Sequence, residues 1–455
     1  TGQLKLYQDL DFDHRLLSTI YENTSRWMRS RILSTARQSG SSEWLKTLGH
    51  NRNVKMLGDL TDDDWRITLN ELSHQNRFDE LWYLAQAAPP VWGIQILKIL
   101  DQAVWHPEED AEQKGFKSLV QQATRCHSEM VTIPQKIIQL PIHDLTTVIT
   151  SISHDKLAVG SSDSMVWLGS SIDYHPFPAI QTPSSPITSL AFGKDGETIA
   201  SAHGDQKIRV WEIETGKLLK ALDGHHGLIK TIAISQDNLI LASAGFDRTL
   251  RLWRYPYGPE LKTIPQTAEI FSLVISPDSR RCITAGAQAQ ISIWSIEDGI
   301  LVDQLTGHTD TITSLALSHD GIRLASSSRD HTIRNWSLMT GRALNIIEQP
   351  DMLVNCLAFH PEHPFLAGGT VDGTIMLWDT INGQKLFQRQ TSPVSITSLT
   401  FSQDGNRLIC TNKAGELIIW DIRYLVISRL PVDSISPSEL SDLHNSPNFK
   451  QSGQV

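Results

Sequence analysis

Gly307 to Trp336 reads GHTDTITSLALSHDGIRLASSSRDHTIRNW. It holds three strand-length runs, ITSLAL, IRLASSS and HTIRNW. Their apolar residues alternate or cluster as half-buried strands require. Asp320-Gly321 separates the first two runs, and this pair tolerates the positive φ of a tight hairpin. Thr340-Gly341 marks another turn after Trp336, before a short fourth run. Working outward, Asp223 to Trp253 repeats the pattern as DGHHGLIKTIAISQDNLILASAGFDRTLRLW. Further hairpin turns fall at Asp195-Gly196, Asp237-Asn238 and Asp404-Gly405, and Glu214-Thr215-Gly216 matches Thr340-Gly341. The closing tryptophan recurs at Trp167, Trp211, Trp253, Trp294, Trp336, Trp378 and Trp420, with gaps of 44, 42, 41, 42, 42 and 42 residues. Such a period marks one four-stranded unit copied around a ring. A single unit cannot bury its own apolar faces, whereas seven set radially bury one another. The expected fold is an all-β seven-bladed propeller over residues 131–430, preceded by an all-α helical domain over 1–130 and followed by a flexible tail, 431–455.

Composition narrows the function. The chain has 455 residues, a net charge of −10 and a pI near 5.9. Net acidity argues against nucleic acid as the main ligand, because phosphate-backbone binding needs concentrated Lys and Arg. No apolar run is long enough to span a bilayer and no secretory signal is seen. The first residue is Thr rather than Met, so an upstream segment is expected. Cys126, Cys282, Cys356 and Cys410 lie far apart with no CxxC pair, which points to reduced thiols, a cytoplasmic setting and no zinc site. His360, Glu362 and His363 cluster in HPEHP, but the same slot elsewhere reads SHDG or SQDG, so this is a turn and no metal or cofactor is expected.

From about Ile137 to Leu430 the chain resembles the WD-repeat family. Trp378-Asp379 and Trp420-Asp421 keep its dipeptide, and Gly307-His308 and Gly224-His225 its Gly-His element. The resemblance implies an internal polar network in which Asp orients His, His bonds a hydroxyl and the hydroxyl bonds the indole. The slots are an Asp six residues before the Trp (Asp205, Asp247, Asp330, Asp372), a Ser ten before (Ser201, Ser243, Ser326) and a His 28 before (His225, His308). Complete sets occur in the third copy (His225, Ser243, Asp247, Trp253) and the fifth (His308, Ser326, Asp330, Trp336); the fourth has Gln288 and the seventh Ala414 in the Asp slot. His308, Ser326 and Asp330 are the residue types of a hydrolase triad. The structural role is preferred, because a buried indole and hydroxyl need partners and no nucleophile-elbow sequence is present. No catalytic residue is assigned. The first copy is the most degenerate, its second hairpin reading two residues short near Ser162-Asp163. Ile137–Leu140 is favoured over Tyr424–Ser428 as the strand that closes the ring, since family members usually close from the N-terminal side.

Family geometry places the exposed binding face near two sets of positions. One is the residue before the Asp slot: Gly204, Phe246, Ala287, Arg329, Val371 and Lys413. The other lies three and five residues after the His slot: Leu228 and Lys230, Glu269 and Phe271, Thr311 and Thr313, Leu353 and Asn355. Among these, Phe246, Phe271, Leu228, Lys230, Arg329, Leu353 and Asn355 form the candidate partner-binding set, an apolar patch rimmed by charge.

Before residue 131 the strand alternation stops. Helical spacing is seen over Asp13–Gln38, after Thr61–Asp64 (Trp65, Leu69, Leu72), over Arg77–Gln86, from Pro90 through Trp105, and over Glu108–Cys126. Trp27, Trp44, Trp65, Trp82, Trp92 and Trp105 all lie here and are read as core, with one or two as alternative partner anchors.

The expected function is a non-enzymatic interaction scaffold that binds protein or peptide partners, with the helical module linking to another subunit or a missing domain of a larger complex. A regulatory or sensor component of a signalling or defence complex is the first alternative. The second rests on Trp420-Asp421-Ile422-Arg423, which is similar to the Trp-Asp-x-Arg motif of WD-repeat substrate receptors in cullin-RING ubiquitin ligases.

Overall fold

A computed structural model describes residue 65, residues 68–69 and 72–105, and residues 135–423 except 143, 152–154, 171–173, 184, 350 and 381–382. Residues 135–421 form one compact unit of seven four-stranded antiparallel sheets. Blade three shows the plan, with Ile229–Ile234 innermost, then Ile240–Gly245, Thr249–Arg254 and Glu260–Pro265. The innermost strands of consecutive blades pack against one another around the whole ring. Each blade is apolar on two faces, so its core lies between blades. Ile283, Ala285, Ile291, Ile293 and Leu305 of blade four, for example, pack with Ile312, Leu315, Leu324 and Trp336 of blade five.

The ring closes through the strand Gln135–Gln139. It pairs antiparallel with Glu416–Asp421 of blade seven, in the register Ile137↔Ile418 and Ile138↔Leu417. Chain start and chain end of the propeller thus share a blade. Ile138 packs on the cluster that joins blades seven and one, while Ile137 is exposed. The competing strand Tyr424–Ser428 lies outside the described residues.

Blade one departs from the expected short hairpin. Its turn is flanked by Gly160↔Val166, the same spacing as Ala244↔Leu250 in blade three. Trp167 pairs with Val159, as Arg251 pairs with Ser243. The tryptophan is therefore displaced by two residues, which accounts for the first gap of 44. Gly169 occupies the usual tryptophan position, and a Cβ there would lie 2.4 Å from the Trp167 ring. The glycine leaves the space that the displaced indole fills. Asp163 sits in the Asp slot of an ordinary-length turn.

Of residues 1–130, the described part contains the helices Phe78–Ala87 and Pro90–Gln102, which fall where the sequence places them, the second starting on Pro90. Trp65, Leu69 and Leu72 are buried, Trp65 stacks on Trp92 at 5.9 Å, and Trp82 tilts against Trp105 at 6.3 Å. These four indoles serve packing. Trp65, Thr68, Leu69 and Leu72–His74 are helical as well, as expected after Thr61–Asp64, but these pieces do not amount to the whole all-α domain expected over 1–130. The helices expected over Asp13–Gln38 and Glu108–Cys126, Trp27, Trp44 and the tail 431–455 lie outside the described residues.

Candidate interaction site

In blade three, the start of the inner strand pairs with the end of the second strand, Ile229↔Gly245. The turn after the second strand therefore shares one face of the ring with the inner-strand entry. A backbone bond ties the two together, Phe246 N–H to the Leu228 carbonyl at 2.9 Å. Every blade repeats it: Ser162 to Asp144, Gly204 to Pro186, Ala287 to Glu269, Arg329 to Thr311, Val371 to Leu353 and Lys413 to Ser395. The chains approach so closely in blade three that a Cβ on Gly245 would lie 2.0 Å from the Leu228 carbonyl oxygen. Each blade thus offers one clamped pair of side chains to the face, and the pair is free to vary because only backbone makes the clamp.

Just after each clamp, the ladder skips one residue of the inner strand. The bulged residues are Thr146, Thr188, Lys230, Phe271, Thr313, Asn355 and Thr397. Bulges re-aim side chains, and here they turn toward the neighbouring strand or the next blade: Thr313 reaches Ser327 and the Val354 carbonyl, and Thr397 reaches Thr411. The ring is mostly hydroxyl-bearing, with one aromatic and one cation.

Clamp and bulge bring some of the candidate set together and leave some apart. Phe246 of blade three is 38% exposed and meets half-buried Phe271 of blade four edge-on, with ring centroids 5.7 Å apart. Leu228 is held beside Phe246 by the clamp. Leu353 is instead clamped to exposed Val371 in blade six, and Arg329 to Thr311 in blade five. The apolar residues therefore form two clusters, one at blades three and four and one at blade six. Asn355 is exposed, with its amide 3.4 Å from Ser395 Oγ and the Ile396 carbonyl. Lys230 is an exposed side chain at the start of the inner strand of blade three, with backbone and side chains packed around its base. That enclosure lowers its pKa, and the Lys413 charge lowers it further.

Beneath this face lie the polar networks. His225 Nδ1 is 2.7 Å from Asp247, its Nε2 is 2.7 Å from Ser243 Oγ, and Trp253 donates to Ser243 at 2.8 Å. His308, Asp330, Ser326 and Trp336 repeat these distances. The hydroxyl donates to the imidazole while accepting the indole N–H. Ser243 and Ser326 are fully buried, so no substrate reaches them. Burial lowers the pKa of His225 and His308, against the pull of Asp247 and Asp330, and holds the rings neutral. Burial pushes Asp330 up, but hydrogen bonds from Thr332, His308 and the Thr309 amide outweigh it and bring it down to about 2.

Sequence spacing missed the network of blade two. Pro183 occupies its His slot, yet His203 Nε2 reaches Ser201 Oγ at 2.7 Å, and Trp211 donates to that hydroxyl at 2.8 Å. The histidine comes from the strand that carries the serine, two residues on. Asp205 binds Arg209 at 2.6 Å instead. Blade four keeps only Trp294 to Thr284 at 3.0 Å, with Gln266 in the His slot. Gly368 leaves the Trp378 indole N–H of blade six without a partner. In HPEHP, His360 Nδ1 accepts the His363 amide at 2.9 Å and Nε2 donates to the Gly405 carbonyl at 3.0 Å, which makes it a turn residue. Among the described residues no cluster of His, Cys, Asp or Glu could hold a metal ion.

A second apolar surface escaped the sequence reading. Ile300 is 63% exposed, and Leu301, Val302, Met339 and Ile346 are also exposed, on and around the outer strands Leu301–Thr306 and Arg342–Glu348 of blades four and five.

The model of the WD domain, G-beta repeat, matches residues 177–212, 216–254, 299–337, 342–379 and 384–421. The two blades it passes over are blade one, with its displaced tryptophan, and blade four, which lacks both His and Asp. Among curated proteins, the chain is 25% identical over 142 residues to the Periodic tryptophan protein 2 homolog of Schizosaccharomyces pombe, covering 30% of this chain and 17% of that one. It is 24% identical over 147 residues to the mouse Periodic tryptophan protein 2 homolog, covering 31% and 16%. The match thus spans about a sixth of the length of these relatives. Five matched repeats on a closed seven-bladed ring show that the chain belongs to the WD-repeat family of β-propellers.

Proposed function

We propose that this chain is a non-enzymatic protein-interaction scaffold, and that Leu228, Phe246 and Phe271 form the centre of its binding face. One observation carries the reading: a backbone clamp repeated in all seven blades presents variable side chains on one face, and in blade three it presents Phe246 and Leu228, with Phe271 from the bulge of blade four set edge-on against Phe246. Aromatic residues set among polar ones suit a partner's apolar anchor. Lys230, Arg329 and Asn355 supply the polar rim, and Leu353 with Val371 a secondary contact. The Ser-His-Asp geometry supports folding rather than hydrolysis, because its hydroxyl is sealed in. A cytoplasmic setting belongs to the same proposal and draws on the free thiols of Cys282, Cys356 and Cys410. No described helix is long and apolar enough to cross a membrane.

The sensor reading needs the same face and differs only in what lies on the partner side. The ubiquitin-ligase reading loses ground, since Arg423 is half-buried and engaged in a contact of its own. The test is a quantitative affinity purification from native extract with the full chain and its Phe246→Asp/Phe271→Asp variant. Loss of specific partners, with an unchanged melting temperature, is expected. Full retention by the folded double variant would move the site elsewhere, and the outer strip at Ile300 to Val302 would be next.

A further inference from the structure

We propose that the cavity between blades four and five is a second protein-binding site, which takes a tyrosine side chain of a partner. It goes beyond the scaffold reading, because it lies at the opposite end of the strands from the clamps. At that end, the first residue of the second strand in one blade meets the residue two past the tryptophan slot of the next. Register puts Thr198, Ile240, Arg281, Arg323 and Arg407 in the first of these positions. The junctions close by matched chemistry. Tyr255 of blade three donates to Thr198 of blade two at 2.7 Å, and Arg323 of blade five donates to Thr380 of blade six at 2.9 Å. Ile240 and Ile296 pack on one apolar cluster between blades three and four. Arg407 of blade seven lies over the Tyr174 ring of blade one, 5.5 Å from its centroid, and 3.4 Å from its hydroxyl. Between blades four and five the match fails. Arg281 stands opposite Leu338, which offers it no polar atom, and a cavity of about 120 Å³ opens there. The Arg281 guanidinium has no hydrogen bond or ion pair among the described residues.

The lining decides the occupant. Pro277, Ile283 and Ile293 of blade four and Leu338 of blade five give the cavity apolar walls, and Arg281, Asp278 and Asp320 add one cation and two carboxylates. An apolar cavity of about 150 Å³ holds a benzene ring, so the space suits one aromatic side chain. Asp278 Oδ1 accepts from Ser276 and the Arg280 amide, and Asp320 Oδ1 from Ser318 and the Ile322 amide, so each carboxylate keeps Oδ2 for a further donor. A phenol hydroxyl accepts from a guanidinium and donates to a carboxylate. A phosphate or carboxylate would meet two negative groups against one positive, and a lysine would leave the guanidinium unpaired. Tyr255 and Tyr174 already serve the equivalent threonine and arginine elsewhere in the ring. Ile322 and Met339, 43% and 80% exposed, adjoin Gly321 and Leu338 of the lining, so the partner's tyrosine should have aliphatic neighbours.

The experiment titrates p-cresol, toluene and benzylamine into the full chain and follows the methyl NMR signals of Ile283, Ile293 and Leu338. The cresol is expected to shift these signals and to bind at least about tenfold more tightly than toluene, since its hydroxyl bonds to charged groups. A short Leu-Tyr-Leu peptide should displace it, and the Leu-Phe-Leu counterpart should not. Arg281→Met, at an exposed residue, should cut the preference over toluene to about twofold or less. Leu338→Tyr should fill the cavity from within, as Tyr255 does at its own junction, so it should abolish cresol binding and raise the melting temperature. The proposal is overturned if toluene or benzylamine binds as tightly as p-cresol, if the three methyl signals do not move, or if binding survives in folded Leu338→Tyr. Should Leu338→Tyr not fold, Arg281→Met decides, and an unchanged preference overturns the site. The Phe246→Asp/Phe271→Asp variant alters the other face and should bind the cresol as native protein does, so the two readings fail separately.

Discussion

Ser326 lies between an imidazole and an indole, and its neighbours define what removing it would do. Ser326→Ala deletes the acceptor of the Trp336 N–H and the partner of His308 Nε2, and leaves both buried without a bond. Such losses cost about 1–3 kcal/mol. Blade six shows that the fold tolerates this, since Gly368 already leaves Trp378 unpaired in a ring that still closes. Trp336→Ala is worse, because it empties a core shared by blades four and five, and large-to-small changes of this size cost about 3–5 kcal/mol. Denaturant unfolding should rank the variants native, Ser326→Ala, Trp336→Ala. Equal losses for both would mean that hydrogen bonding rather than packing dominates the site. Spacing from the tryptophan was enough to find His225 and His308 in the sequence. His203 was hidden because it reaches its serine from the adjacent strand position, a solution that no fixed offset anticipates.

At the scale of the element, legibility followed the backbone. Asp-Gly turns, strand runs and the strand at Ile137–Leu140 were readable because hairpin chemistry and alternation are written in residue type. The displaced tryptophan of blade one was misread as a short hairpin because every distance was counted from it. The seven clamps that build the interaction face were invisible, since their donors and acceptors are main-chain atoms that any residue supplies. The closing strand gives a direct test. Alternate residues face opposite sides, so Ile138 packs on Leu417, Ile419 and the rest of the blade seven–one cluster while Ile137 faces solvent. Ile138→Asp should lower stability by about 1–3 kcal/mol through burial of an unpaired carboxylate, and Ile137→Asp should change it by less than about 0.5 kcal/mol. If the two substitutions act alike, this strand does not close the ring.

The ring as a whole carries buried neutral histidines in four blades, and they give it a common sensitivity to acid. Burial, helped by the nearby Arg209, pushes His203 from the usual 6.5 down to about 4. Burial and the neighbouring His363 do the same to His360, again to about 4. His225 and His308 are shifted in the same direction. Between pH 6.5 and about 4 the unfolded chain therefore binds protons that the folded chain refuses, so stability must fall as pH falls through that window. A shift of this size corresponds to roughly 3 kcal/mol for each of His203 and His360 at the bottom of the window. Below it Asp330 takes over, because a carboxyl held near 2 loses its contribution as pH drops from the ordinary carboxylate range toward 2. Each blade packs only on its neighbours, so protonation in blades two, three, five and six loosens most of the interfaces together. Urea midpoints measured from pH 7.5 to 4.5 should be flat above about 6.5 and decline steadily below it. His360→Asn, whose amide can accept from the His363 amide and donate toward Gly405, should flatten part of that decline while costing little at pH 7.5. A native profile without slope between pH 6.5 and 4.5 would mean that these histidines are not held neutral by the fold.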